Sequence, residues 1–272
     1  MCPPLLFAAL LGGLALPAAD PPDLAEFVVV RRGTVPVILS APHGGRAALP
    51  GVPDRKGEGV KQFVTVLDGN TFELSEKAAD AIEKALGGRP YVVAAKFQRR
   101  HCDANRPAEA AYEDARAKPY YDAYHAALNS HCDEVRQSWG QGLLLDLHGQ
   151  AAKADTVFRG TRRLTTCGNL KTRFGMAAIT GKTSLLGALA ASGYAVFPAI
   201  DAPADAAEDP RFGGGHIVAT YGSAGGTNID AIQLEFGGDS RAAKSLDKTA
   251  RDLAAALKFF ATDYLPREKL PK

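Results

Sequence analysis

Short apolar runs alternate with longer stretches of helical periodicity along most of the chain. Residues 27–31, 37–40, 91–96, 143–147, 194–198 and 231–236 are rich in Val, Ile, Leu, Phe and Tyr, and each has the length of a strand. Between them, residues 70–86 repeat apolar side chains at helical spacing and open with Asn70 and Glu73, the spacing of a capping box. Residues 108–139 predict a helix with a break near Pro119, and residues 184–192 and 242–264 predict two more. Strands alternating with helices imply an α/β sheet covered on both faces. Residues 44–59 and 213–226 are glycine-rich and long enough to be functional loops. No linker, internal repeat or low-complexity tract divides the pattern.

The first nineteen residues stand apart. Residues 5–16 are apolar but shorter than the ~20 residues of a membrane span, and "LPAAD" offers small residues for cleavage near Ala18 or Ala19. This predicts a signal peptide over residues 1–19, one catalytic domain over 20–272, and a secreted or periplasmic protein. The remainder keeps Cys102, Cys132 and Cys167 without a CxxC pair. That argues against thiolate zinc and leaves one disulfide plus a free thiol open. The 272-residue chain is 46% hydrophobic and 23% charged, enough to bury a core. A net charge of +2 with both signs interleaved argues against a nucleic-acid partner.

Three of the apolar runs end in polar residues that packing does not require. "ILSAPHGG" ends in His43 and two glycines, which let the backbone turn and let another group approach closely. "GLLLDLHG" carries Asp146 and His148, two apart and so on one strand face. "AIQLEFGG" carries Gln233 and Glu235 in the same relation. One such histidine is most simply a satisfied core residue; two histidines and a glutamate at three strand ends point to a metal. Two imidazoles and a carboxylate suit zinc, with a further position left for water, and Asp146 is placed to orient its histidine. "RRHCDANRP" clusters Arg99, Arg100 and Arg106 around Asp103 and Asn105, and arginine forks suit a carboxylate ligand. "GMAAITGKTS" imitates a phosphate-binding loop, but Gly175 and Gly181 are separated by five residues where that loop needs four.

Taken in order, "PHGG", "LDGNTFEL", "RRHCDANRP", "YYDAYHAAL", "LLLDLHG", "GGGHIVATYG" and "AIQLEFG" resemble the N-formylglutamate amidohydrolase family. "DANR" and "DLHG" also resemble motifs of the zinc carboxypeptidases. The resemblance implies a three-layer α/β/α sandwich around a mixed sheet, with a zinc ion as cofactor. It implies His43 and His148 as zinc ligands, Asn105 and Arg106 as binders of a substrate carboxylate, and Glu235 as general base and acid. Arg99 would help at the carboxylate or the developing oxyanion. Carboxypeptidases take a ligand three residues after the first histidine, where this chain has Arg46. The third ligand is therefore expected from Asp68, with Glu58 and Glu73 as competitors. His216 and Tyr221 are expected to line the pocket, and His125 to be structural. The implied activity is hydrolysis of an N-acyl amino acid, most simply N-formylglutamate. A secreted peptidase acting on peptides or γ-linked glutamate polymers is the alternative. A carboxylate-binding module without catalysis is a third reading, against which Glu235 beside both histidines argues.

Overall fold

The structure, a computed structural model, describes residues 23–269. The expected signal peptide lies outside the described residues. The strands are β1 (Val28–Arg31), β2 (Val37–Ala41), β3 (Tyr91–Ala95), β4 (Gly142–Gly149), β5 (Thr156–Gly160), β6 (Ala195–Phe197) and β7 (Ile229–Phe236). The helices are α1 (Thr71–Leu86), α2 (Ala108–Ala111), α3 (Lys118–Trp139), α4 (Gly168–Phe174), α5 (Ala177–Thr180), α6 (Leu185–Ala191), α7 (His216–Tyr221), α8 (Gly238–Arg241) and α9 (Leu246–Tyr264).

The strands form one seven-stranded sheet in the order β1-β3-β2-β4-β7-β5-β6. The four central strands β3, β2, β4 and β7 run parallel, and β1 and β5 are antiparallel to their neighbours β3 and β7. β2, β3 and β7 are buried along their whole length, as expected for parallel strands covered on both faces. Val37, Leu39, Leu143, Leu145, Ile232 and Leu234 pack on one side with α1, α6 and α9. Ile38, Leu144, Ile229 and Ala231 pack on the other with α3 and α7. The mixed sheet with helices on both sides is the architecture expected from the alternating pattern.

Four local expectations change. Residues 156–160 form β5, which the apolar pattern did not mark because Arg159 sits in a run of only five residues. The break in the long helix falls at residues 112–117, between α2 and α3, while Pro119 sits in the first turn of α3, where its missing N–H costs nothing. Asn70 makes no side-chain cap; its φ is +65° and its amide donates to Arg241 O at 2.8 Å. Cys102, Cys132 and Cys167 are all buried and free, so no disulfide joins them.

The chain leaves β2 for β3 over one face and returns from β3 to β4 over the other. The carboxyl ends of β2 and β4 therefore flank a topological switch point, where open α/β sheets form their ligand crevice. Among the described residues, no helix is long and apolar enough to cross a membrane.

Candidate active site

The site grows from one face of the sheet. On the α3 side the first residues of the central strands are apolar, but toward the carboxyl ends the same face turns polar. Ser40, Asp146 and Gln233 lie in register across β2, β4 and β7. His148 and Glu235 form the next row, two residues further along. Helix α3 covers the lower part of this face, and the upper part opens into a cleft of ≈ 500 Å³. His43, Asp68, Arg99, Asn105, Arg106, His148 and Glu235 all line that cleft.

His43 reaches it because β2 ends at Ala41 and the chain turns immediately. A Cβ on Gly44 would lie 2.2 Å from Phe72 N at the start of α1, so glycine is what lets the turn and the helix meet. The same turn brings Asp68 beneath it, with Asp68 N donating to His43 O at 3.1 Å.

His43 Nδ1, His148 Nδ1 and Asp68 Oδ2 converge. The two nitrogens are 3.1 Å apart, and the carboxylate oxygen is 3.4 Å from His43 and 3.2 Å from His148. The outer ring nitrogens face carboxylates: His43 Nε2 lies 2.7 Å from Asp103 Oδ1, and His148 Nε2 lies 2.8 Å from Asp146 Oδ2. An ionised carboxylate only accepts, so both Nε2 atoms carry their hydrogens, and when the imidazoles are neutral both Nδ1 atoms turn lone pairs toward one point. Two such nitrogens and a carboxylate oxygen facing one another in a buried place fit a cation, which would take the place of the proton that the acids around His148 otherwise favour on that ring. The three residues form the set, among those described, that is spaced to hold a metal ion. Glu58 is exposed and Glu73 points away beside Arg46, so neither competitor joins them.

Partners hold this arrangement. Asp103 also receives Arg99 Nε at 2.9 Å and its own loop's Asn105 N–H at 3.0 Å. Burial opposes the charge on Asp103, but His43 and Arg99 outweigh it and hold the carboxyl well below its usual range. Burial likewise opposes the charge on Asp68, and His43 and His148 pull its pKa down. Arg99 Nη1 approaches Asp68 Oδ1 at 3.6 Å, so one guanidinium bridges both acids. Asp146 is held by Ser40 Oγ at 2.7 Å, and Ser40 in turn meets the Tyr124 hydroxyl at 2.8 Å.

Glu235 differs from these acids. It is 7% exposed, and among the described residues its carboxylate receives one hydrogen bond, from Gln233 Nε2 at 2.9 Å. Burial raises its carboxyl to about 7, with His148 opposing and Asp68 adding to the rise. A carboxyl near neutrality beside a cluster spaced to hold a metal ion is suited to taking and returning a proton.

The structure separates the remaining expected residues. Arg106 donates to the carbonyls of Asn105 and Gln62 at 3.1 Å each and, among the described residues, forms no ion pair. Its charge is free for a ligand. Asn105 faces the cleft with its Oδ1 committed, accepting from Ile217 N at 2.8 Å, which ties the Asp103 loop to α7. Its Nδ2 lies 3.1 Å from His148 Nε2, which already carries a hydrogen, and 3.5 Å from Gln233 Oε1, so a donor is left for a ligand. His216 and Tyr221 do not line the cleft. The Tyr221 hydroxyl is spent on His125 Nδ1 at 2.8 Å, and His216 packs edge-on to His125. His125 is structural, with Nε2 3.0 Å from Ala104 O. Two participants were not assigned from sequence. Asp103 was visible only as the centre of an arginine cluster, and Arg241, which lines the cleft, carried no signal.

A comparison with protein-family models settles the class. Residues 107–240 match the N-formylglutamate amidohydrolase family. The motif resemblance is borne out, and the chain is a hydrolase of amide bonds. The matched segment contains Asp146, His148 and Glu235, while His43, Asp68 and Arg99 precede it and are brought in by the fold. Among solved structures, an N-formylglutamate amidohydrolase from Ralstonia eutropha JMP134 superposes with a TM-score of 0.61 at 17% identity, covering 88% of this chain and 98% of that one. A gene product from Agrobacterium tumefaciens gives 0.52 at 13%, covering 85% and 92%. These likenesses show the shared fold. A search of curated proteins found no match.

Proposed function

We propose that the protein is a zinc-dependent amidohydrolase that cleaves the amide bond of an N-acyl amino acid, most simply N-formylglutamate to glutamate and formate. One observation carries the reading: two imidazole nitrogens and the Asp68 carboxylate converge beside Glu235, whose carboxyl is raised to about 7. His43, Asp68 and His148 would hold the ion. Two nitrogens and one oxygen suit zinc with an open position, and zinc supplies Lewis acidity at the scissile carbonyl and makes water easier to deprotonate.

The chain's own residues do the rest. Glu235 takes a proton from the attacking water and returns it to the leaving nitrogen, which turns the amine into a good leaving group. Arg106 pairs with the substrate carboxylate and sets the acyl carbon over the cluster. Asp103 and Asp146 keep each imidazole in the tautomer that leaves Nδ1 free. Arg99 bridges Asp68 and Asp103 and keeps both aimed. The expected leader leads us to place the protein outside the cytoplasm, a reading that N-terminal sequencing of exported protein tests.

The experiment is zinc analysis of purified protein with hydrolysis of N-formylglutamate, N-acetylglutamate and γ-glutamyl peptides. About one zinc per chain and preferred cleavage of a free-carboxylate acyl amino acid support the reading. Full activity after complete metal removal refutes it, and preference for the γ-glutamyl peptides replaces the substrate assignment.

A further inference from the structure

Arg241 ends the four-residue helix α8 and turns its side chain back toward the cleft. Each arm of its guanidinium goes to a different segment. Nε donates to Phe236 O at 2.9 Å, Nη2 to Gln150 O at 3.1 Å, and Nη1 to Gly69 O. None of these acceptors is a carboxylate. Each is a carbonyl one or two residues past a residue of the proposed site: Gly69 follows Asp68, Gln150 lies two beyond His148, and Phe236 follows Glu235. Asn70 closes the back of the arrangement, donating to Arg241 O at 2.8 Å.

We propose that Arg241 is a positioning residue, a three-way clamp that fixes the turn carrying Asp68 and the carboxyl ends of β4 and β7, with His148 and Glu235, relative to one another. The inference rests on the reading above for what those segments carry. The physical case is geometric. Lysine has a point charge that turns freely, whereas the planar fork sends donors in fixed directions. The three carbonyls belong to the turn before α1, the residue after β4 and the end of β7, separated by 81 residues or more in the chain. No other single side chain among the described hydrogen bonds reaches all three. Gly149 supplies an independent observation from the opposite side. A Cβ built there would lie 2.4 Å from Arg241 Cζ and 2.5 Å from Nε. The chain leaves out one methyl group where the clamp must pass.

This predicts an unusual pair of variants. Arg241→Gln removes the clamp. Gly149→Ala keeps the arginine and its charge, but pushes the guanidinium off its carbonyls. Both are expected to weaken zinc binding or kcat by about 10- to 100-fold, the range found for residues that orient metal ligands from outside, with KM moving less. Arg241→Lys is expected to recover little, because charge without the fork does not span three segments. Each single change removes the same clamp, so the double variant is expected to lose no more than about threefold beyond the worse single one.

The test is zinc affinity by chelator competition together with kcat and KM on N-formylglutamate for all four variants. Hydrogen exchange at Asp68–Asn70 in zinc-free protein is measured alongside. Matching losses that do not multiply, with faster exchange in both single variants, support the clamp. Losses that multiply, full recovery by lysine, or unchanged exchange in Arg241→Gln overturn it. The exchange experiment needs neither metal nor substrate. If the wild type proves inactive on acyl amino acids, the functional reading fails while the clamp is still decided.

Discussion

Replacing Glu235 with glutamine keeps the shape of the side chain, and its carbonyl oxygen can still accept from Gln233 Nε2. What it removes is a buried ionisable group. Its carboxyl is raised from 4.5 to about 7 in the folded protein, chiefly by burial. The difference between the two corresponds to about 3 kcal/mol, since each tenfold change in proton affinity is worth roughly 1.4 kcal/mol. The sign follows from which state holds the proton. Between about 4.5 and 7 the unfolded chain has released it and the folded chain has kept it. The wild type therefore loses stability as pH rises through this window and levels off above it. Glutamine has no such window. Metal-free Glu235→Gln is expected to match the wild type near pH 4.5 and to exceed it by up to about 3 kcal/mol at pH 8. Urea unfolding with chelator present, at both pH values, reads the difference. The slope against urea must stay equal in the two proteins for the comparison to hold. The same variant is expected to lose a factor of roughly 10²–10⁴ in kcat, since glutamine cannot shuttle the proton. An equal stability difference at both pH values would refute the claim that Glu235 is held uncharged by burial. A gain in stability with a full loss of activity would mark the residue as kept for chemistry at the expense of the fold.

The other predictions concern the metal, the substrate and pH. His148→Ala is expected to purify with much less than the one zinc per chain expected of the wild type, and retention of the ion would remove His148 from the ligand set. Asp103→Asn keeps the size of a side chain that touches His43 but not the cation, and is expected to weaken zinc by about 10- to 100-fold in chelator competition; unchanged affinity would deny it an orienting role. Arg106→Ala is expected to lower kcat/KM for an acidic substrate about tenfold to a few hundredfold, from charge-assisted bonds of roughly 1.5–3 kcal/mol each. The neutral amide of that substrate should lose much less, and equal losses would mean that Arg106 holds the fold. A plot of kcat/KM against pH is expected to fall on its acidic side as Glu235 gains its proton, at a lower pH than in metal-free protein because a bound cation favours the carboxylate; an acidic limb unchanged in Glu235→Gln would exclude it as the base.

The parts of the fold that could be read from sequence were those with local causes. β2, β4 and β7 announce themselves as apolar runs, and their polar ends mark His43, His148 and Glu235 without any knowledge of pairing. Asp68 was reached through the resemblance, since an acid ahead of a helix has an ordinary explanation in the helix dipole. What stayed hidden depends on contacts distant in sequence. Asp103 serves His43 across 60 residues, and Arg241 reaches Gly69 across 172. Asn105, read as a ligand binder, also gives its Oδ1 to Ile217 N, a tie to α7 that no spacing rule reveals. β5 escaped because its buried Arg159 is neutralised by Glu208, 49 residues away, so the run did not look like a core strand. Asn70 and Glu73 had the spacing of a cap, but the turn that delivers Asp68 holds Asn70 in a left-handed conformation instead.

With the roles proposed above, the pairing of His148 with Glu235 across β4 and β7 makes turnover a reporter of folding fidelity. Side chains alternate along a strand, so a slip of one residue in β7 would carry Glu235 to the α9 side of the sheet and bring Phe236 to the cleft. Such a molecule would keep most of its secondary structure and its compactness, and spectroscopy would score it as native. Turnover would not. The fraction of active sites per mole of protein thus counts chains with β7 in the correct register, and refolding yields measured by turnover should fall below those measured by circular dichroism wherever misregistered chains accumulate.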